Sequence, residues 1–121
     1  MLRSMMQVYV KGSTEAVEFY KKAFNAEVLC AYDNGKGGYM HSELNAYGQV
    51  IAVSEIPEEV KAGNTMMFCF HFGEGGEENV RRAYEILKEG AVECSALDKC
   101  DYSPLQFVCI DKFGVTWCVF I

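Results

Sequence analysis

Met6, Val8 and Val10 alternate with Met5, Gln7 and Tyr9, a period of two that predicts a strand with two different faces over residues 5–10. The period then changes to that of a helix. Ala16, Val17, Tyr20, Ala23 and Phe24 recur at helical spacing, Ser13 is placed to cap the helix and Asn25 to stop it. Glu15 falls in the first turn, where the helix dipole favours an acid. Three further strands are predicted over 27–32, 39–45 and 49–55, separated by the glycine-rich turn 33–38 and by Tyr47-Gly48. The first half therefore reads βαβββ.

The pattern returns. With Phe72 placed on Val10, residues 67–72 repeat 5–10, and Val80, Ala83 and Leu87 repeat Val17, Tyr20 and Phe24. Residues 44–53 lie over 110–119 in the same way. The second half is predicted as a strand over 65–72, a turn at 73–76, a helix over 77–89 stopped by Gly90, and strands over 91–97, 105–110 and 115–121, with a polar loop at 98–104. Residues 56–64, polar and interrupted by Pro57, link the halves. The fold class expected is α+β: one domain, 1–121, of two βαβββ modules, 1–55 and 65–121, with the helices outside and the other sheet face curled around a cleft.

Strand parity assigns the faces. Phe68, Phe70 and Phe72 belong under a helix with Trp117 and Val119, while Met67, Cys69 and His71 face the cleft with Thr116, Cys118 and Phe120. The cleft set expected is Met5, Gln7, Tyr9, Ala52, Met67, Cys69, His71, Phe107 and Cys118.

Composition narrows the function. Half of the 121 residues are apolar, and a net charge of −6 without a basic cluster repels nucleic acid and anionic membranes. No apolar run reaches membrane-spanning length and the first residues lead straight into a strand, so a cytoplasmic protein is expected. The six cysteines show no CxxC or zinc-finger spacing and read as reduced, mostly packing thiols. Gly73-Glu74-Gly75-Gly76 lacks the lysine of a phosphate loop and carries acids nearby, so it reads as a turn.

The stretch G-S-T-E-A-V-E-F-Y-K-K-A-F, the strand and turn H-S-E-L-N-A-Y-G and the ending D-K-F-G-V-T-W resemble the vicinal oxygen chelate superfamily, in particular its PhnB-like, glyoxalase and bleomycin-resistance branch. The resemblance covers nearly the whole chain and implies paired βαβββ modules, often as homodimers. It also implies a divalent metal held by His, Gln or Glu from the first and last strands of each module. Counted from Glu18-Phe19-Tyr20 and from Asp111 and Gly114, those places fall on Met5 and Cys118, and module symmetry adds Met67 and Ala52. Two thioethers, a methyl and one thiol do not suit a hard or borderline ion, so neither the family metal nor another cofactor is expected. A register two residues on would substitute Gln7 and Cys69 for Met5 and Met67.

His41 and Glu43, two apart on one strand, are the candidate acid–base pair, and with His71 they account for both histidines. A half-buried strand also carries such residues for structural reasons alone. Cys118 as a nucleophile has no motif behind it and reads better as a core thiol. Three functions stand open: a metal-free binder of an apolar or aromatic small molecule; a lyase- or isomerase-type enzyme using His41 and Glu43 or a metal; and a dimeric interaction module.

Overall fold

The computed structural model describes residues 1–121, which divide into two units, Met1–Lys61 and Ala62–Ile121. In the first, the alternating stretch forms β1 (Met6–Val10), the helical stretch α1 (Ser13–Phe24), and three strands follow: β2 (Glu27–Asp33), β3 (Tyr39–Ala46) and β4 (Gln49–Glu55). The sheet order is β1-β4-β3-β2, with β1 parallel to β4 and the other pairs antiparallel. Helix α1 buries Val17, Tyr20 and Phe24 against Val8, Val10, Leu44, Ile51 and Val53, all on one face of the sheet. Each large side chain so covered contributes about 1.5–3 kcal/mol.

Asn25 stops α1 as expected, in the left-handed conformation at φ 46°. The start differs from the expectation. Ser13 is the first helical residue rather than its cap, and the carboxylate of Glu55, at the end of β4, accepts hydrogen bonds from the N–H of Gly12 and of Ser13, each 2.9 Å, and from Ser13 Oγ at 2.7 Å. A carboxylate satisfies more orphan donors and complements the helix dipole better than a hydroxyl can. Ser13 Oγ in turn accepts the N–H of Tyr39 at 2.8 Å. Gly38 passes close against this group, where a Cβ would collide with Glu55 and press on Ser13. At the β3–β4 hairpin Tyr47 and Gly48 both have positive φ, the form that matches the twist of the flanking strands.

In the second unit β5 (Phe68–His71), α2 (Glu77–Leu87), β8 (Ser103–Ile110) and β9 (Thr116–Phe120) follow the predicted order, with β5 parallel to β9 and β8 antiparallel to it. Two shorter pieces, β6 (Glu93–Cys94) and β7 (Asp98–Cys100), both pair with β8 where one strand over 91–97 and a loop over 98–104 are predicted. Ser95 is the reason. Its N–H donates to the Val108 carbonyl at 2.8 Å while its hydroxyl accepts the Val108 N–H at 2.9 Å, so a side chain replaces a rung of the ladder and the backbone leaves the sheet.

Phe68, Phe70 and Trp117 pack ring on ring on the α2 side of this sheet. The ending D-K-F-G-V-T-W is built around Asp111, which is fully buried and accepts the N–H of Phe113 (2.8 Å), of Val115 (3.0 Å) and the indole N–H of Trp117 (2.8 Å). Gly114, at φ 85°, makes that turn without strain. The overall class is the α+β expected, and no helix is long and apolar enough to cross a membrane.

Candidate functional site

In the first unit the strand register lines up Gln7, Ala52, Glu43 and Cys30 across the sheet, on the face turned away from α1. Cys30 is on that face because of a bulge. Glu27 pairs with Asn45 and Val28 with Leu44, but Cys30 pairs with Glu43, so Leu29 is the extra residue and alternation resumes one place late. His41, two residues before Glu43, shares the face and pairs with Tyr32, and Tyr9 pairs with Ser54. The Gln7 amide donates to Val8 O at 3.0 Å and to Ser54 Oγ at 3.2 Å.

The structure brings His41 and Glu43 together: His41 Nε2 lies 3.0 Å from Glu43 Oε1. It adds a residue that sequence reasoning passed over. Arg3, just ahead of β1, donates to both oxygens of Glu43, Nη1 to Oε2 at 2.8 Å and Nη2 to Oε1 at 2.9 Å. The guanidinium, and after it the imidazole, hold the nearly buried Glu43 carboxyl down at about 2, and Glu43 in return raises Arg3. Glu43 is therefore an anion throughout the neutral range and a poor proton acceptor. Because an ionised carboxylate only accepts, His41 presents Nε2–H to it and keeps Nδ1 as its basic nitrogen. Cys30 Sγ, a His41 ring nitrogen and a Glu43 oxygen all lie within 4.8 Å of one another.

In the second unit Cys69 pairs with Cys118 and His71 with Phe120, on the face away from α2. The His71 ring stacks on Phe120 at 4.4 Å, and Tyr102 meets the same phenyl edge-on at 5.3 Å. Tyr102 Oη is 3.8 Å and Gln106 Nε2 3.9 Å from Cys118 Sγ, so the thiol's neighbours are a phenol, an amide and the Cys69 thiol, none of them a base. Contact with Cys118 pushes Tyr102 up to about 12, and burial, then Cys118, raise Cys69. Burial likewise raises Cys109, keeping it a protonated core thiol. Met67 is exposed just ahead of β5.

Phe107 requires a correction. Val108, not Phe107, pairs with Cys118, so Phe107 points the other way, fully buried under α2 with its ring 5.3 Å from that of Tyr84. It belongs to the core and not to a binding face. An open hollow of about 280 Å³ lies instead beside Val108, Ile110, Thr116 and the β6 residues Glu93 and Cys94, of which only Thr116 is expected on the cleft face from the sequence.

The family metal can be tested against these residues. Ala52 is fully buried and offers a methyl, the Cys118 thiol faces Tyr102 and Gln106, and Met5 and Met67 offer thioethers. The register partners of the two closing-strand positions are Gln7 and Cys69, an amide whose NH2 group donates to Val8 and Ser54 and a thiol whose pKa is raised. The first set offers no carboxylate and no imidazole, and the second adds one amide oxygen and one thiol.

The sequence pattern of the Glyoxalase/Bleomycin resistance protein/Dioxygenase superfamily matches residues 4–119. No match was found among curated proteins. Among solved structures, the chain is similar to protein PA1353 from Pseudomonas aeruginosa, 17% identical over 99% of this chain and 97% of that one, with a TM-score of 0.78. It is also similar to a putative 3-demethylubiquinone-9 3-methyltransferase, PhnB protein, from Bacillus cereus (18% identity, 98% of each chain, TM-score 0.71). The fosfomycin resistance protein FosX from Listeria monocytogenes shares 14% identity over 98% of this chain and 91% of that one, with a TM-score of 0.71. At these identities the structures speak for the fold alone, but the pattern spans almost every residue, and the chain belongs to the Glyoxalase/Bleomycin resistance protein/Dioxygenase superfamily.

Proposed function

We propose that this protein binds an apolar or aromatic small molecule on the sheet faces turned away from its helices, and does so without the superfamily's divalent metal. The observation that carries the reading is the donor chemistry at the four places the family uses: Met5, Ala52, Met67 and Cys118 supply no carboxylate and no imidazole. The same faces carry soft and aromatic surface, with Tyr9, Met67 and Tyr102 exposed and His71 stacked on Phe120. Polar anchors for a ligand are the His41 ring and the guanidinium of Arg3, both partly exposed. The protein works as a homodimer, whose second copy covers sheet edges and apolar surface such as Leu29, Tyr32 and Met40.

Elemental analysis of protein purified without a metal-binding tag tests the metal-free reading. Nickel, iron or manganese at one per chain, retained by a Cys30→Ser variant, overturns it.

A second reading is favoured by one contact, that of His41 with Glu43. With Glu43 held anionic, His41 would be the proton acceptor of an isomerase- or lyase-type step, oriented by the carboxylate. Turnover of any candidate substrate that vanishes in His41→Gln, in a variant that stays folded, would favour the enzyme over the binder.

A further inference from the structure

The geometry points to a zinc site at Cys30, His41 and Glu43 that Arg3 occupies when the metal is absent. These donors lie on β2 and β3, whereas the family's ligands come from the first and last strands of each module, so this is a different place from the vacated one. It shares His41 and Arg3 with the small-molecule reading, but its test reads the metal alone, so the failure of either is distinguishable from that of the other.

Three observations carry it. The donors are a thiol, an imidazole and a carboxylate, the S, N and O set that zinc takes, and their atoms lie within 4.8 Å of one another. Zinc bonds of about 2.0–2.3 Å in a tetrahedron separate ligand atoms by about 3.3–3.8 Å. His41 Nε2 and Glu43 Oε1, now 3.0 Å apart, therefore need to spread only slightly. All three residues also stand on paired strands, with Cys30 directly opposite Glu43, so the backbone holds the donors in place before any ion arrives. The bulge at Leu29 is what turns Cys30 to this face.

The third observation is Arg3. Its guanidinium neutralises Glu43 through two hydrogen bonds, yet it comes from the segment before β1 and its side chain is 50% exposed, so it can withdraw into water without unpacking the core. Charge balances in both states. Without metal, the Arg3 cation offsets the Glu43 anion. With metal, Cys30 gives its thiol proton to solvent, and thiolate plus carboxylate offset the two charges of zinc while Arg3 leaves still protonated. Three protein ligands leave a fourth position for water or a ligand atom, the arrangement of zinc sites that do chemistry.

Cobalt(II), which reports its ligands optically, tests this on the full chain. The expected result is one cobalt per chain with a near-ultraviolet thiolate-to-metal band and visible bands of tetrahedral strength, both displaced by one equivalent of zinc. Cys30→Ser should remove the thiolate band and His41→Gln should weaken binding at least tenfold. Arg3→Ala should tighten zinc at least several-fold, because the competing cation is gone. That last effect separates the site from adventitious capture by a stray surface cysteine, which Arg3 would not influence. A parent protein without a thiolate band overturns the inference, as does a band that persists in Cys30→Ser or a zinc affinity that Arg3→Ala leaves unchanged or lowers. The parent spectrum decides even if a variant fails to fold.

Discussion

Replacing Glu55 by Gln isolates the carboxylate that starts α1. Glu55 accepts three hydrogen bonds, at 2.9, 2.9 and 2.7 Å, from Gly12 N–H, Ser13 N–H and Ser13 Oγ. A glutamine side chain of the same shape keeps one carbonyl oxygen and turns an NH2 group toward donors, so at least one charge-assisted bond is lost and one donor is left facing another. A bond to a charged acceptor is worth about 1.5–3 kcal/mol against about 0.5–1.5 for a neutral one. The charge at the helix start adds about 0.3–1 kcal/mol. Together these give a loss of about 1.5–3 kcal/mol at pH 7. For a chain of this length that is a fall in Tm of about 5–12 °C. The pH dependence identifies the cause. The backbone N–H groups of Ser13 and Gly12 hold the Glu55 pKa below its ordinary value of 4.5, so the stabilisation is complete above that value and disappears as pH falls through the lowered one. Thermal unfolding of parent and variant, followed by circular dichroism from pH 7 to pH 3, should show a gap that is widest near neutrality and closes in acid. A gap that is equal at pH 7 and pH 3, or none at pH 7, refutes the assignment of the cap to an ionised Glu55.

Asp111→Ala leaves the Trp117 indole N–H and the N–H groups of Phe113 and Val115 without their acceptor, and should cost about 3 kcal/mol or more in denaturant unfolding. Phe107→Ala, in the core under α2, should cost about 3–5 kcal/mol, and its remaining folded fraction should bind ligand as the parent does. His41→Gln should do the reverse, moving stability by less than about 0.5 kcal/mol while abolishing the ligand response, because the ring is partly exposed and packs no core. Sedimentation at micromolar concentration should show a dimer, and a monomer there contradicts the assembly proposed.

Much of the fold is legible in the sequence because the change of period from two to 3.6 and back marks each β1-α1 and β5-α2 unit, and the inward phenylalanines at 68, 70 and 72 obey simple alternation. What is hidden departs from alternation or acts from a distance. The bulge at Leu29 moves Cys30 onto the face of Glu43, where uninterrupted alternation from Glu27 would turn it toward the helix. Ser95 breaks a strand with its own side chain, an event no hydrophobic pattern records. Phe107 is misplaced because its face depends on the β8–β9 register, which pairs Val108 with Cys118. Arg3 and Glu55 act on partners 40 and 43 residues away, and only the folded sheet brings them there. The pairing of His41 with Glu43, by contrast, follows from their spacing on one strand.

The central claim, ligand binding without the family's metal, is tested most directly by thermal unfolding of chelator-treated protein across a panel of small aromatic and apolar compounds. A compound present at about 100 times its Kd stabilises the native state by about 2.7 kcal/mol. The account predicts that at least one compound raises Tm in the presence of chelator, and by the same amount when manganese, which a thiol-bearing site does not favour, replaces the chelator. A rise that appears only with manganese, or no rise with any compound, contradicts it.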